Sequence, residues 1–253
     1  KDLSTFVSTI DKAYTEILES KGLVQLFEYI LMFGSFINSG TERCGIDGFK
    51  LDTLERIFNF KTDDNTQTMI DLIIQSVRTK NPELLKFPEE ISHVMEVNER
   101  ILDYVDDHVD ILIRTVKEID VTVNCLSSSD MPDKEPFMSI MTEFLSHANE
   151  ETDNLKNCDR VMRKKYQSVL KYFGEDIIEP GKCLAPKEFF KLMNNFVSGW
   201  EKAVKDAYNA EAQANRKAEL ERRKADEFKA VMELNQTDVI DDRMGGVVSG
   251  TTF

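Results

Sequence analysis

The side chains that most often carry chemistry are few and scattered in this chain. Its three histidines, His93, His108 and His147, form no HExxH or similar metal spacing. His108 falls in an apolar helical stripe and reads as a packed core histidine. The four cysteines, Cys44, Cys125, Cys158 and Cys183, include no CxxC pair. They read as free thiols of a cytoplasmic protein. The carboxylates Glu96, Glu99, Asp103, Asp106, Asp107 and Asp110 could gather a cation, but no His or Cys joins them. A solvated helix face is the reading. Ser127, Ser128 and Ser129 have no nearby base to activate them and read as linker. Gly45-x-x-Gly48 lacks the GK[ST] ending of a phosphate loop. The expectation is a protein with no catalytic residue, no metal and no cofactor.

What remains is recognition by charge. Lys50 stands between Phe49 and Leu51 in GFKLDTL, just after the glycine-bearing stretch GSFINSG. Phe49, Leu51 and Leu54 can anchor a short helix while Lys50 points away from them. A second charged feature is the segment Arg216 to Lys229. It carries Arg216, Lys217, Arg222, Arg223, Lys224 and Lys229 against Glu219, Glu221, Asp226 and Glu227, a net of 6 − 4 = +2 in a chain of −14. Two readings stay open there: a charge-mixed solvated helix, or a patch for an acidic partner. The overall charge argues against nucleic acid and against an anionic membrane surface. No apolar run approaches the ~20 residues of a membrane span.

The elements that must position these residues are helical. Charged residues make up 31% of the chain, and glycine and proline are sparse. Leu3, Phe6, Ile10, Ala13 and Ile17 recur at helical steps. After the break Ser20-Lys21-Gly22, the run Leu23, Leu26, Phe27, Ile30, Leu31 is apolar on more than one side, which predicts a central, well-buried helix. Leu51, Leu54, Ile57 and Phe58 predict a short helix. Asp64-x-x-Gln67 reads as a capping box for the next helix, which Asn81-Pro82 breaks. Two long helices follow. One carries the stripe Ile101, Val105, His108, Leu112, Val116, Ile119 and Val123. The other carries the stripe Phe137, Ile140, Met141, Phe144, Ala148, Leu155, Met162, Tyr166, Val169 and Phe173, and Gly174 closes it. Ser127 to Pro136 links them. The last helix opens at Pro186 and buries Phe189, Phe190, Met193, Phe196, Val197 and Trp200. Past Tyr208 the apolar stripe fades. Helix from Lys187 to Leu234 would run about 70 Å, and residues 235–253 are expected to be disordered.

LFEYILMFGSFINSG, GFKLDTL and DNTQT, in that order and spacing, closely resemble the formin homology 2 (FH2) domain of actin-assembly formins. The family pattern is an apolar helix ending in G-N-x-x-N-x-G, a short loop, G-F-x-L-x-x-L, then D-N-x-x-T. This chain keeps Gly34, Asn38, Gly40, Gly48, Phe49, Leu51, Leu54, Asp64, Asn65 and Thr68, while Ser35 replaces the usual Asn. DNLKNCDRVMRKKYQSVLKYFGED and FFKLMNNFVSGWEKAVKDA are similar to the family's closing helices. The resemblance covers about 1–210.

The resemblance implies an all-α fold, an elongated multi-helix FH2-type bundle with a long projecting C-terminal helix. Residues 1–210 would be the FH2-like domain without lasso and knob, 211–234 a charged helical extension, and 235–253 a tail with some similarity to the formins' autoregulatory segment. It implies a cytoplasmic, cytoskeletal actin-binding module that nucleates filaments and follows the growing barbed end as a homodimer. Gly34, Ser35, Phe36, Asn38 and Gly40 would meet the partner subunit's lasso. Lys50, and more loosely Lys61, would touch actin. Profilin–actin delivery and Rho-family GTPase control would act through regions outside this chain. Other classes considered are a non-enzymatic helical scaffold without actin-end activity, and an enzyme, against which the missing site counts.

Overall fold

A computed structural model describes residues 2–41, 45, 48–62, 66–130, 132–175 and 183–244, with side chains as far as Lys229. Among them the fold is all-α, and the strand-like pairing is one isolated bridge between Lys61 and Thr68. The chain divides into two units, Lys1–Ala203 and Val204–Phe253. No helix among the described residues is long and apolar enough to cross a membrane.

In the first unit α1 (Asp2–Glu19) packs on α6 (Glu99–Ser127) and α7 (Glu135–Tyr172). Phe6 lies edge-on to Tyr104 at 5.6 Å, and Lys165 reaches Asp11 at 2.7 Å. Around this bundle sit α2 (Lys21–Ile37), α3 (Thr53–Arg56), α4 (Met69–Lys80), a 3₁₀ helix (Pro82–Ile91) and α5 (Ser92–Glu96). Ser20 caps α2: its Oγ accepts from the Leu23 N–H at 3.0 Å and donates to Glu90 at 2.8 Å. Gly22 lets the 3₁₀ helix approach, since a Cβ there would stand 2.7 Å from that of Phe87.

The first turns of α8 (Pro186–Met244) join these parts. Phe190 meets Tyr14 at 5.2 Å on α1, and Phe189 meets Tyr166 at 5.8 Å on α7. Phe196 meets Phe27, Phe58 and Phe87, and Trp200 meets Phe87 and donates its indole N–H to the Leu85 carbonyl at 3.2 Å. Gly199 has no side chain because the Phe58 ring stands where one would be. Gly174, at φ 68°, ends α7 as its sequence position predicts.

Four sequence expectations need correction. His108 is exposed, not packed: the buried face of α6 is Leu102, Val105, Val109, Val116 and Val123, and His108 lies a residue off that register. Its ring stacks on Tyr104 at 4.1 Å. On α7 the early apolar residues Phe137, Ile140 and Phe144 are exposed, while Leu145 and Leu155 face inward. The α2 helix is not buried all round: Leu23, Leu26 and Ile30 form its inner face, and Val24, Met32 and Phe36 are exposed. The cap of α4 is Thr68, not Asp64, which lies outside the described residues.

In the second unit every side chain from Tyr208 to Lys229 is exposed. Helix α8 continues to Met244, beyond the boundary expected at Leu234. Between Val204 and Met244 no glycine or proline interrupts it, and the first breaker is Gly245. Residues 245–253 of the expected tail lie outside the described residues.

Two stability predictions follow from the core. Phe196→Ala removes the ring that three others pack against, and is expected to cost about 3–5 kcal/mol in urea unfolding. A loss under about 1 kcal/mol would contradict this central role. Tyr14 is buried, and that burial, followed by the nearby Tyr166, raises its phenol above the ordinary tyrosine range. The folded chain thus holds a proton that the unfolded chain releases near pH ~10. The contribution is complete below that pH and shrinks as pH rises above it. Tyr14→Phe is expected to soften the fall in melting temperature from about pH 9 to 11. Equal falls in both proteins would refute the assignment.

Candidate functional site

Lys50 is exposed, and its neighbours are held. Leu51, Leu54 and Ile57 are buried at 3%, 0% and 3% exposure. Phe49 is half-buried, with its ring edge-on to Phe27 at 5.5 Å. The Lys50 carbonyl accepts the Thr53 N–H at 3.0 Å, so the backbone of Lys50 itself starts the turn into α3. Asp52 and Arg56 pair across that turn at 3.0 Å. The ammonium therefore stands on a backbone fixed on both sides, with its charge in water.

Beside this turn α2 ends. Asn38 closes it, donating its N–H to the Gly34 carbonyl at 3.0 Å, and Gly40 turns the chain at φ 84°, a conformation that favours glycine. A cavity of about 320 Å³ lies between the two segments. Gly34, Ser35 and Asn38 line one side, Gly48, Phe49, Thr53 and Arg56 another, and Ile30, Phe60 and Met69 add apolar surface. A Cβ on Gly34 would find nothing within 4 Å. Among the described residues no neighbour would crowd a side chain at that position.

Of the sequence-picked residues, the structure brings Gly34, Ser35 and Asn38 to this cavity. Phe36 lies outside it and is 78% exposed, a large ring facing water at the end of α2. Gly40 and Lys50 border it in sequence but do not line it. Lys61 is exposed on the isolated bridge with Thr68, where the Thr62 N–H donates to Gln67 at 2.9 Å and the Met69 N–H to Phe60 at 2.8 Å. The lining residues Arg56, Phe60 and Met69 were not foreseen, because nothing local links them to Gly34. The capping box that fixes this corner is Thr68 with Asp71: Thr68 N–H donates to the Asp71 carboxylate at 2.8 Å, and the Asp71 N–H donates to Thr68 Oγ1 at 3.3 Å. Its T-x-x-D spacing was available in the sequence.

The order of these parts matches a known domain. Residues 1–201 fit the family model of the Formin Homology 2 Domain. The chain belongs to the formin homology 2 family. Formin-E of Dictyostelium discoideum is 30% identical over 198 residues, covering 78% of this chain and 12% of that protein. Protein diaphanous homolog 3 of Mus musculus is 25% identical over 201 residues, covering 79% and 17%. Disheveled-associated activator of morphogenesis 2 of the mouse is 27% identical over 223 residues, covering 88% and 19%. The chain thus spans less than a fifth of the length of these relatives. The FH2 match ends at 201, close to the unit boundary after Ala203.

The corner can be tested locally. Thr68→Ala deletes one arm of the capping box and is expected to cost about 1 kcal/mol. Faster proteolysis in 60–68 should accompany it. Unchanged stability and unchanged cleavage would show that the cap does not hold this corner.

Proposed function

We propose that this chain is the actin-binding module of a formin. In the complete dimeric domain it promotes filament nucleation and processive barbed-end elongation, by binding alone and without covalent chemistry. The observation that carries the reading is the exposed Lys50 on a turn anchored by Phe49, Leu51 and Leu54. A lysine held this way presents its charge to actin's acidic surface with less ordering cost than one on a free loop. Lys61 is a second, weaker candidate for the same surface.

The cavity beside it suits the dimer contact. Its lining of Gly34, Ser35 and Asn38, its apolar wall of Ile30, Phe60 and Met69, and the exposed Phe36 nearby offer a seat for the lasso of a second copy. Gly34, Ser35, Phe36, Asn38 and Gly40 are the proposed contact residues. A place in the cytoplasmic cytoskeleton, supply of profilin–actin through an upstream region, and Rho-family GTPase control belong to the same proposal.

Lys50→Asp in the complete protein tests it. Reversing one charge at a partly desolvated contact is expected to weaken barbed-end binding by about 1–3 kcal/mol, roughly 5- to 150-fold. Circular dichroism should stay unchanged, because the side chain is exposed. Actin assembly at the wild-type rate with the variant would remove Lys50 from the contact.

A further inference from the structure

A second cavity, of about 540 Å³, shares no lining residue with the one beside Lys50. It lies between α1, α6, α7 and the lead into α8. Ile10, Leu102, Val105, Met162 and Leu170 give it a buried apolar floor. Its size suits a small-molecule site, in which apolar walls surround a few placed polar groups.

Tyr14 supplies one such group. Its ring is 2% exposed and packs on Tyr166 and Phe190, each at 5.2 Å. Its hydroxyl has no hydrogen-bond partner among the described residues, and it is not sealed in, because Tyr14 lines the cavity. A buried hydroxyl without a partner is costly, so a group that enters the cavity and meets it is favoured. Tyr166 differs. Its hydroxyl donates to the Leu184 carbonyl at 2.6 Å, and its oxygen can still accept.

The rim sets the sign of the charge that fits. Arg163 lines the cavity, but its guanidinium is already held twice. Its Nε donates to the two Asp159 oxygens at 3.0 and 2.9 Å, and its Nη2 donates to Asp106 Oδ1 at 3.0 Å. Two carboxylates thus face one cation, and the group is net negative. Lys187 is paired with Asp103. Burial comes first in raising the Tyr14 phenol, followed by Tyr166 and then Asp106, so that carboxylate lies near the hydroxyl. Burial also raises the Tyr166 phenol, and Cys183, Glu175 and Glu188 add to the rise. An anion entering here would have to displace a carboxylate from Arg163, and a cation would not.

We propose that this cavity binds a small organic cation, with an apolar body on the floor and an ammonium head between the Tyr14 hydroxyl and Asp106. The ammonium donates to the phenol oxygen and to Asp106 Oδ2, which has no partner among the described residues. The two tyrosine rings add attraction for the same charge. A ligand seated there touches three helices and the lead into the fourth, so its binding also stabilises the first unit.

The test uses two probes with one ring and opposite charge, 1-naphthylmethylammonium and 1-naphthylacetate, titrated calorimetrically into the full chain. The cation is expected to bind about tenfold more tightly than the anion. At about ten times its Kd it should raise the melting temperature by roughly 2–4 °C. Gln167→Trp, at the exposed mouth, fills the cavity and should weaken the cation more than about tenfold. Asp106→Asn should weaken it about fivefold and narrow the preference over the anion. Tyr14→Phe keeps the ring, and should weaken it about threefold. Asp206→Asn, an exposed carboxylate in the second unit, should change it less than about twofold. No binding of the cation, or anion binding as tight as the cation's, would overturn the proposal. So would wild-type affinity in both Asp106→Asn and Tyr14→Phe. A loss in Asp206→Asn equal to that in Asp106→Asn would also overturn it, as general attraction to an acidic chain. The Lys50 surface is not involved, so neither result bears on the actin reading.

Discussion

The ring of Phe27 is the contact on which the proposed binding face depends. It meets Phe196 of α8 at 6.2 Å and Phe173 at the end of α7 at 5.9 Å. It also meets Phe49 at 5.5 Å. One side chain thus connects the aromatic core to the turn that carries Lys50. Single aromatic pairs contribute about 0.5–1.5 kcal/mol beyond the area they bury. Placement follows from the series: Phe196 is gripped by Phe58 and Phe87 as well, so Phe27 has a rigid back wall.

That series explains a division of labour around one corner. Apolar residues fix position, Leu51 and Leu54 in the core and Phe49 and Phe60 only partly covered, while the charged residue beside each is left exposed. Lys50 follows Phe49 and precedes Leu51. Lys61 follows Phe60 on the bridge to Thr68. The corner is pinned at a second place by the Thr68–Asp71 cap, which sets where α4 starts and so where Met69 enters the cavity wall. The distal part of α8 follows a different rule, its side chains from Tyr208 to Lys229 being exposed. No core supports it, and the helix there rests on propensity and on pairs such as Arg223 with Glu219.

Helix ends were legible where a local residue encodes them. Asn81-Pro82, Gly174 and Pro186 each mark a boundary through backbone chemistry that needs no distant partner. The register of α6 was not legible in the same way. Apolar residues at both Val105–His108–Leu112 and Val105–Val109–Val116 spacings fit a helical stripe, and only the packing against α1 and α7 chooses the second. The cavity was half legible. Gly34, Ser35 and Asn38 stand together in the chain, but Phe60 and Met69 reach them only through the fold. The length of α8 was not legible in its polarity; it lies in the lack of any glycine or proline before Gly245.

Hydrogen exchange of the complete protein, with and without actin, tests the central claim most directly. The account predicts slowed exchange at the amides of Lys50 to Leu54 when actin is bound, with the distal turns of α6 and α7 unchanged. Unaltered exchange across that turn, with protection elsewhere in the domain, would contradict it.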